Sequence, residues 1–218
     1  MSEAKSEPGM NWDLSAFFPV FNGPDMKAFK ESLQEDVKSL LESAGGLDPL
    51  GLENAGEWEE IFLRSEETLS RLVHLGSYVG CLTAADARNE DYLKEEGHLA
   101  LLGAEFSKLE VELLRALKQV SDDVFETFSK REALAGATHF LSRTRIESEF
   151  TMSAEMEALS ADLGVDGIEA WGRLYDTVSG KLEFDMVFPD GKKGRLPISQ
   201  RRSLMENPDR DTRRAAFL

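Results

Sequence analysis

Apolar residues recur along this chain at steps of three and four for most of its length. Phe29, Leu33, Val37, Leu40 and Leu41 mark one face of a first helix. That helix opens at Asp25 or the preceding Gly23-Pro24 and ends at Gly45-Gly46. Residues 45–56 hold four glycines and one proline and read as a linker, a candidate flexible joint. A second helix is predicted over residues 57–89, with Trp58, Ile61, Phe62, Leu69, Leu72, Val73, Leu75, Tyr78, Val79 and Leu82 among its apolar positions. A third, over residues 90–120, carries Leu99, Leu102, Phe106, Leu109, Leu113 and Leu117 at steps of 3, 4, 3, 4 and 4. That spacing is close to a coiled-coil seam and predicts long helices packed antiparallel.

Ser121-Asp122-Asp123 is an N-cap cluster for a short helix through Phe128, and another helix is expected over residues 131–149. Ser153 opens a helix over residues 153–163 through a loose capping box around Met156 and Glu157, and Gly164 is expected to stop it. Residues 167–178 form a further helix with Ile168, Trp171, Leu174, Tyr175 and Val178 on one side. The period then changes. Residues 181–188 alternate polar and apolar, Pro189-Asp190-Gly191-Lys192 is a turn, and residues 193–198 return as the partner strand. Asn207-Pro208-Asp209 opens a last helix over residues 210–218, with no C-cap signal after it, so the chain is expected to be part of a longer one. The fold class is mainly α: long antiparallel helices forming an arm or bundle, with one small β-hairpin near residues 181–198. Residues 1–23 read as a leader and aromatic anchor, residues 24–149 as the long-helix arm, and residues 150–218 as helices plus hairpin.

Composition narrows the function. The chain has 218 residues, enough for a sizeable core, and its formal charge is −16. That balance disfavours nucleic acid and anionic membrane surfaces as partners. The charge is uneven: residues 1–110 hold 22 acidic and 9 basic residues, and residues 111–218 hold 19 and 16. One cysteine, Cys81, excludes an internal disulfide framework and a Cys-based zinc knuckle. No signal-peptide h-region and no spanning apolar run occurs, which makes a reducing, cytoplasmic setting the expectation.

No complete catalytic constellation emerges, so no catalytic, cofactor-binding or metal residue is assigned. The chain lacks His-Glu-x-x-His, a phosphate-binding glycine loop and a Gly-x-Ser-x-Gly elbow. Glu95-Glu96-Gly97-His98 offers one Glu-x-x-His, which di-iron bundles use in pairs, but a solvated helix face is the simpler reading. His74 and His139 read as packing or half-buried histidines, and Cys81 as a small buried hydrophobe. Lys192, Lys193, Arg195, Arg201, Arg202, Arg210, Arg213 and Arg214 form the positive region. They are expected to pair with Glu206, Asp209 and Asp211 or to stay solvated, with an anionic ligand or partner as the sharper alternative.

Several segments, in order, resemble the N-terminal region of the oligoendopeptidase F group of M3 zinc peptidases. They are Trp12-Asp13-Leu14-Ser15 with the aromatic-proline stretch after it, and the small-residue run Gly76-Ser77-Tyr78. Next come Phe150-Thr151-Met152-Ser153 leading to Glu155-Met156-Glu157-Ala158-Leu159, and then Ala170-Trp171-Gly172-Arg173-Leu174-Tyr175-Asp176. The last is the stretch from Asn207 to Phe217. The resemblance implies a nearly all-helical parent that hydrolyses short unfolded peptides with zinc held by a His-Glu-x-x-His helix and a later glutamate. None of those ligands falls on these 218 positions. It therefore implies a lid or cleft wall without zinc or activity of its own, partnered by the catalytic domain. A fragment of that kind is expected to leave apolar surface exposed and to pair through it as a homodimer, whereas the competing expectation is a stand-alone helical interaction module whose Leu99–Leu117 seam serves a partner or a second copy.

Overall fold

The computed structural model describes residues 12–118 and 120–218; the expected leader over residues 1–10 lies outside them. Three long helices dominate: α1 (Pro24–Gly45), α2 (Ala55–Ala85) and α3 (Glu90–Leu117). They run up, down and up. Lys30 near the start of α1 meets Glu95 near the start of α3, and Arg115 near the end of α3 reaches Ala44 at the end of α1. Helix α2 runs against both, with its start beside the α1–α2 linker (Trp58 on Asp48) and its later turns (His74, Tyr78) beside the aromatics that precede α1. The expected antiparallel arm is thus observed.

Its core follows the predicted stripes. Leu33, Val37 and Leu40 of α1, Trp58, Leu75 and Val79 of α2, and Leu109, Leu113 and Leu117 of α3 are buried in one apolar cluster. The α3 seam is buried from Leu102 onward, and Leu99 packs against it partly covered. The lead-in docks as an aromatic anchor: Phe18 lies edge-on to Phe29 and Tyr78, and Phe21 edge-on to Tyr92.

The 45–56 linker is not a loose joint. Asn54 donates to the carbonyls of Asp48 and Pro49, its carbonyl oxygen accepts from Gly51 N–H, and Trp58 Nε1 donates to Asp48 O at 3.0 Å. Leu50 N–H donates to Ala116 O, and Arg115 Nη2 donates to Ala44 O and Leu47 O, both at 3.0 Å. Glycine content signalled flexibility, but the carbonyls it leaves free are gripped by side chains from the next two helices.

Helix α2 stops at Ala85 rather than near residue 89, because Asn89 serves as the side-chain N-cap of α3, accepting from Asp91 and Tyr92 N–H. Beyond α3 come α4 (Asp122–Ser129), a 3₁₀ segment (Glu132–Ala137) and α5 (Thr138–Ser148). The single helix expected over residues 131–149 is therefore two pieces. Gly136 weakens an α-helix there, and the tighter winding still brings Leu134 into the core. Helix α6 (Ala154–Asp166) runs through Gly164, and the stop falls at Gly167. A Cβ at Gly167 would lie 2.7 Å from Leu163 O, so the turn into α7 (Ile168–Lys181) requires glycine. The expected capping box is also modified: Glu157 reaches back to Met152 N–H at 2.9 Å rather than to the cap residue Ser153.

Strands β1 (Glu183–Val187) and β2 (Lys193–Pro197) pair antiparallel, with Asp185 opposite Arg195. Gly191, at φ 83°, supplies the left-handed residue of the turn. Two short helices follow: α8 (Ile198–Leu204), which the sequence reading missed, and α9 (Arg210–Phe217), capped by the Asp209 carboxylate on Thr212 N–H.

Candidate functional site

The residues that carried candidate chemistry do not converge. Glu95 is almost wholly buried, and both of its oxygens accept from Lys30 Nζ at 2.7 Å. His98 is exposed, with Nδ1 3.7 Å from Glu95 Oε2. The Glu-x-x-His spacing therefore serves an ion pair joining α1 to α3. His74 sits in an aromatic box, its ring centroid 4.9 Å from Phe17, 5.4 Å from Phe18 and 5.7 Å from Phe29. His139, expected at least half-buried, is exposed beside exposed Phe140 on the outer side of α5. Cys81 is half-buried rather than enclosed. Among the described residues no group of three or more His, Cys, Asp or Glu is placed to hold a metal ion. The side chains present do not fit a zinc site.

In the basic region Lys192, Lys193, Arg195, Arg202, Arg210 and Arg214 stay exposed, as one of the two expectations had it, but the expected acidic partners are not used. No ion pair forms between these cations and Glu206, Asp209 or Asp211 among the described residues. Lys192 pairs with Asp190 at 2.8 Å and Arg195 with Glu183 at 3.2 Å, while Arg88 from the α2–α3 turn takes the other Glu183 oxygen. Arg201 donates to Ala216 O and lies over the Phe184 ring, and Arg213 donates to Asn207 O and Pro208 O. Arg201 thereby caps the last turn of α9, and Arg213 ties α9 to the α8–α9 loop just before it. These side chains hold the hairpin module together.

One surface stands apart from ordinary packing. Helix α7 docks through Ala170, Arg173, Thr177 and Ser179, small or polar residues that are the partly covered ones. Its bulky apolar residues point to solvent: Ile168 is 83% exposed, Trp171 72%, Tyr175 72% and Val178 51%. Helix α6 repeats the inversion, covering Ala158, Ala161 and Val165 while Met156, Leu159 and Leu163 are exposed. Hydrophobic burial would favour the opposite orientation of both helices. Polar ties fix it instead. Lys108 of α3 bridges Glu105 and Asp162 at 2.8 and 2.7 Å, and those bonds hold its ammonium above the usual lysine range. Lys118 donates to Thr151 O and Oγ1, and Arg173 Nη2 to Val165 O at 2.7 Å. Burial beside this contact pushes the Glu96 carboxyl above its ordinary value, with Arg173 pulling the other way. Gly180 passes the α2–α3 turn so closely that a Cβ there would lie 2.7 Å from the Ala87 Cβ. Exposed Phe217 and Leu218 add to the uncovered apolar surface. Periodicity marked the α7 stripe in the sequence, but it carried no sign of which way the stripe faces.

Residues 117–184, which include α6 and α7, match the Peptidase_M3_N family model, described as oligopeptidase F. The fold is similar to the crystal structure of oligoendopeptidase-F from Enterococcus faecium, with a TM-score of 0.72 over 91% of this chain at 22% identity. A second solved chain, a candidate peptidase from Chlamydophila abortus, aligns with a TM-score of 0.47 at 16% identity, over 94% of this chain and 34% of its own. No curated protein matches. The chain covers 38% of the length of the Enterococcus faecium protein. The resemblance to the N-terminal region of oligoendopeptidase F, read from the order of the sequence segments, is borne out by the family match and the shared fold. Among the described residues no helix is long and apolar enough to cross a membrane.

Proposed function

We propose that this chain is the lid or cleft-wall part of an oligoendopeptidase F-like zinc metallopeptidase that hydrolyses short, unfolded peptides. In that reading the zinc and its ligands belong to a catalytic partner domain, and the chain by itself is inactive. The observation that carries the proposal is the fold shared with oligoendopeptidase-F over 91% of these residues. The outward stripes of α6 and α7 support it, because they leave apolar surface for a further domain to cover. The reducing cytoplasm is the proposed setting, consistent with a lone thiol and no disulfide. The arm would act as a stiff wall, since its linker is hydrogen-bonded into the bundle.

A chimera tests this. The matching 38% of the Enterococcus faecium protein is replaced by this chain, and peptide cleavage is followed with peptides graded in length. Zinc-dependent cleavage of short peptides, absent from the chain alone, is the expected result. A folded chimera no more active than the catalytic part without any N-terminal region would overturn the proposal. The same outward stripe favours a second reading, a helical interaction module that binds a partner without any peptidase. That reading predicts a monodisperse, cooperatively folding chain and no gain of activity in the chimera.

A further inference from the structure

The outward residues of α7 have a spacing that specifies more than stickiness. Ile168, Trp171, Tyr175, Val178 and Leu182 are separated by steps of 3, 4, 3 and 4, the heptad seam of one helix against another. Gly172 borders the seam and is exposed, so a second helix axis can approach closely there. The 14 residues of α7 span about 21 Å, two heptads in length.

Helix α6 adds a charge. At about 100° per residue, Glu155, Asp162 and Asp166 fall on one edge of its Met156, Leu159 and Leu163 stripe. Lys108 neutralises Asp162, but Glu155 and Asp166 have no ion pair among the described residues. Hydrogen bonds from its own backbone N–H and from Ser153 hold the Glu155 carboxyl below its ordinary range, so this edge stays anionic at neutral pH. A second copy of the same face would set these carboxylates against their own kind, which disfavours self-pairing.

From this juxtaposition we infer that the α6–α7 face receives an amphipathic helix with an apolar seam and a basic edge. The inference rests on the reading that a partner domain covers this face, and it names the chemistry of the covering element. Apolar area supplies the attraction, and the carboxylate edge sets orientation and excludes acidic helices.

The test uses the full chain carrying Trp12→Phe, so that Trp171 is its exposed indole while Trp58 stays buried. The probes are two designed helices with leucine at the seam positions, one with lysine and one with glutamate at every flanking position. Binding of the lysine helix should shift Trp171 emission to the blue and weaken as salt is raised. The glutamate helix should bind at least about tenfold more weakly. The pair Glu155→Lys and Asp166→Lys, both on exposed side chains, should remove that preference while helix content by circular dichroism is retained. Equal binding of both probes, no emission shift with either, or self-association that buries Trp171 in their absence overturns the inference. An active chimera with no helix preference defeats this inference alone. A preference kept with an inactive chimera defeats the peptidase reading and leaves the face as a helix receptor.

Discussion

Lys30 and Glu95 supply the sharpest stability prediction. The Glu95 side chain is 5% exposed, and both its oxygens receive Lys30 Nζ at 2.7 Å. Replacing Lys30 by methionine keeps the aliphatic stem and removes the charge. A buried carboxylate then remains with only exposed His98 near it, and breaking such a pair costs about 3–5 kcal/mol. For a domain of this size, about 1 kcal/mol moves the melting temperature by roughly 2–4 °C, so a fall of roughly 6–20 °C is expected. Lys30→Met with Glu95→Leu removes both charges and should recover most of that loss, because the desolvation penalty disappears with the interaction. Denaturant unfolding of the wild type, the two single variants and the double variant closes the cycle. If Lys30→Met costs under about 1 kcal/mol, or if the double variant loses the sum of the singles, the pair does not hold α1 to α3 as argued.

Four further outcomes follow from other contacts. Arg115→Met removes both donors to the Ala44 and Leu47 carbonyls and should cost about 1–3 kcal/mol, with faster hydrogen exchange at Leu50 N–H as the local readout. Gly180→Ala should destabilise by about 1–3 kcal/mol through overlap with the Ala87 Cβ, and Ala87→Gly in the same chain should relieve it, both read by thermal unfolding. Trp58→Ala should cost about 3–5 kcal/mol, whereas Trp171→Ala should change stability by under about 0.5 kcal/mol, a contrast measured by urea unfolding. The Asp209 carboxyl is held below its ordinary range by the Thr212 hydroxyl and N–H. Its contribution is therefore complete above the unfolded carboxylate pKa and lost as pH falls through the lower folded value, so α9 should fray in acid. Asp209→Asn should flatten that acid response in amide exchange across residues 210–217.

Much of the arm was legible because its helices bury one face each. Leu33, Val37 and Leu40, or Leu109, Leu113 and Leu117, repeat at helical spacing and all face the core, so period and burial coincide. The hairpin was legible for a different reason: alternation stops at a turn whose glycine has a required conformation. Misreadings arose where one residue type can serve two ends. Gly164 and Gly167 look alike in sequence, and only the second meets a carbonyl too close for a Cβ. Helix α8 is too short for a periodic signal. The orientation of α6 and α7 was beyond reach because it is decided by Lys108, Lys118 and Arg173, whose partners lie in other elements or turns. The partners of the basic region were beyond reach for the same reason, since Arg201 and Arg213 take carbonyl oxygens that the fold brings to them, while most of the other cations stay solvated as expected.

The Arg115 contact also bears on the order in which the chain can be made. Its guanidinium closes the corner between the first two helices, 71 and 68 positions downstream of the carbonyls it grips. A nascent chain has the whole of α1 and α2 synthesised before that residue exists to cap them. Until then the Ala44 and Leu47 carbonyls lack this donor, and the corner is held by the local bonds of Asn54 and Trp58 together with side-chain packing. Completion of the third helix locks all three at once. The corner therefore gains its last clasp late in synthesis, and a chain ending shortly before residue 115 would be a helix pair without it.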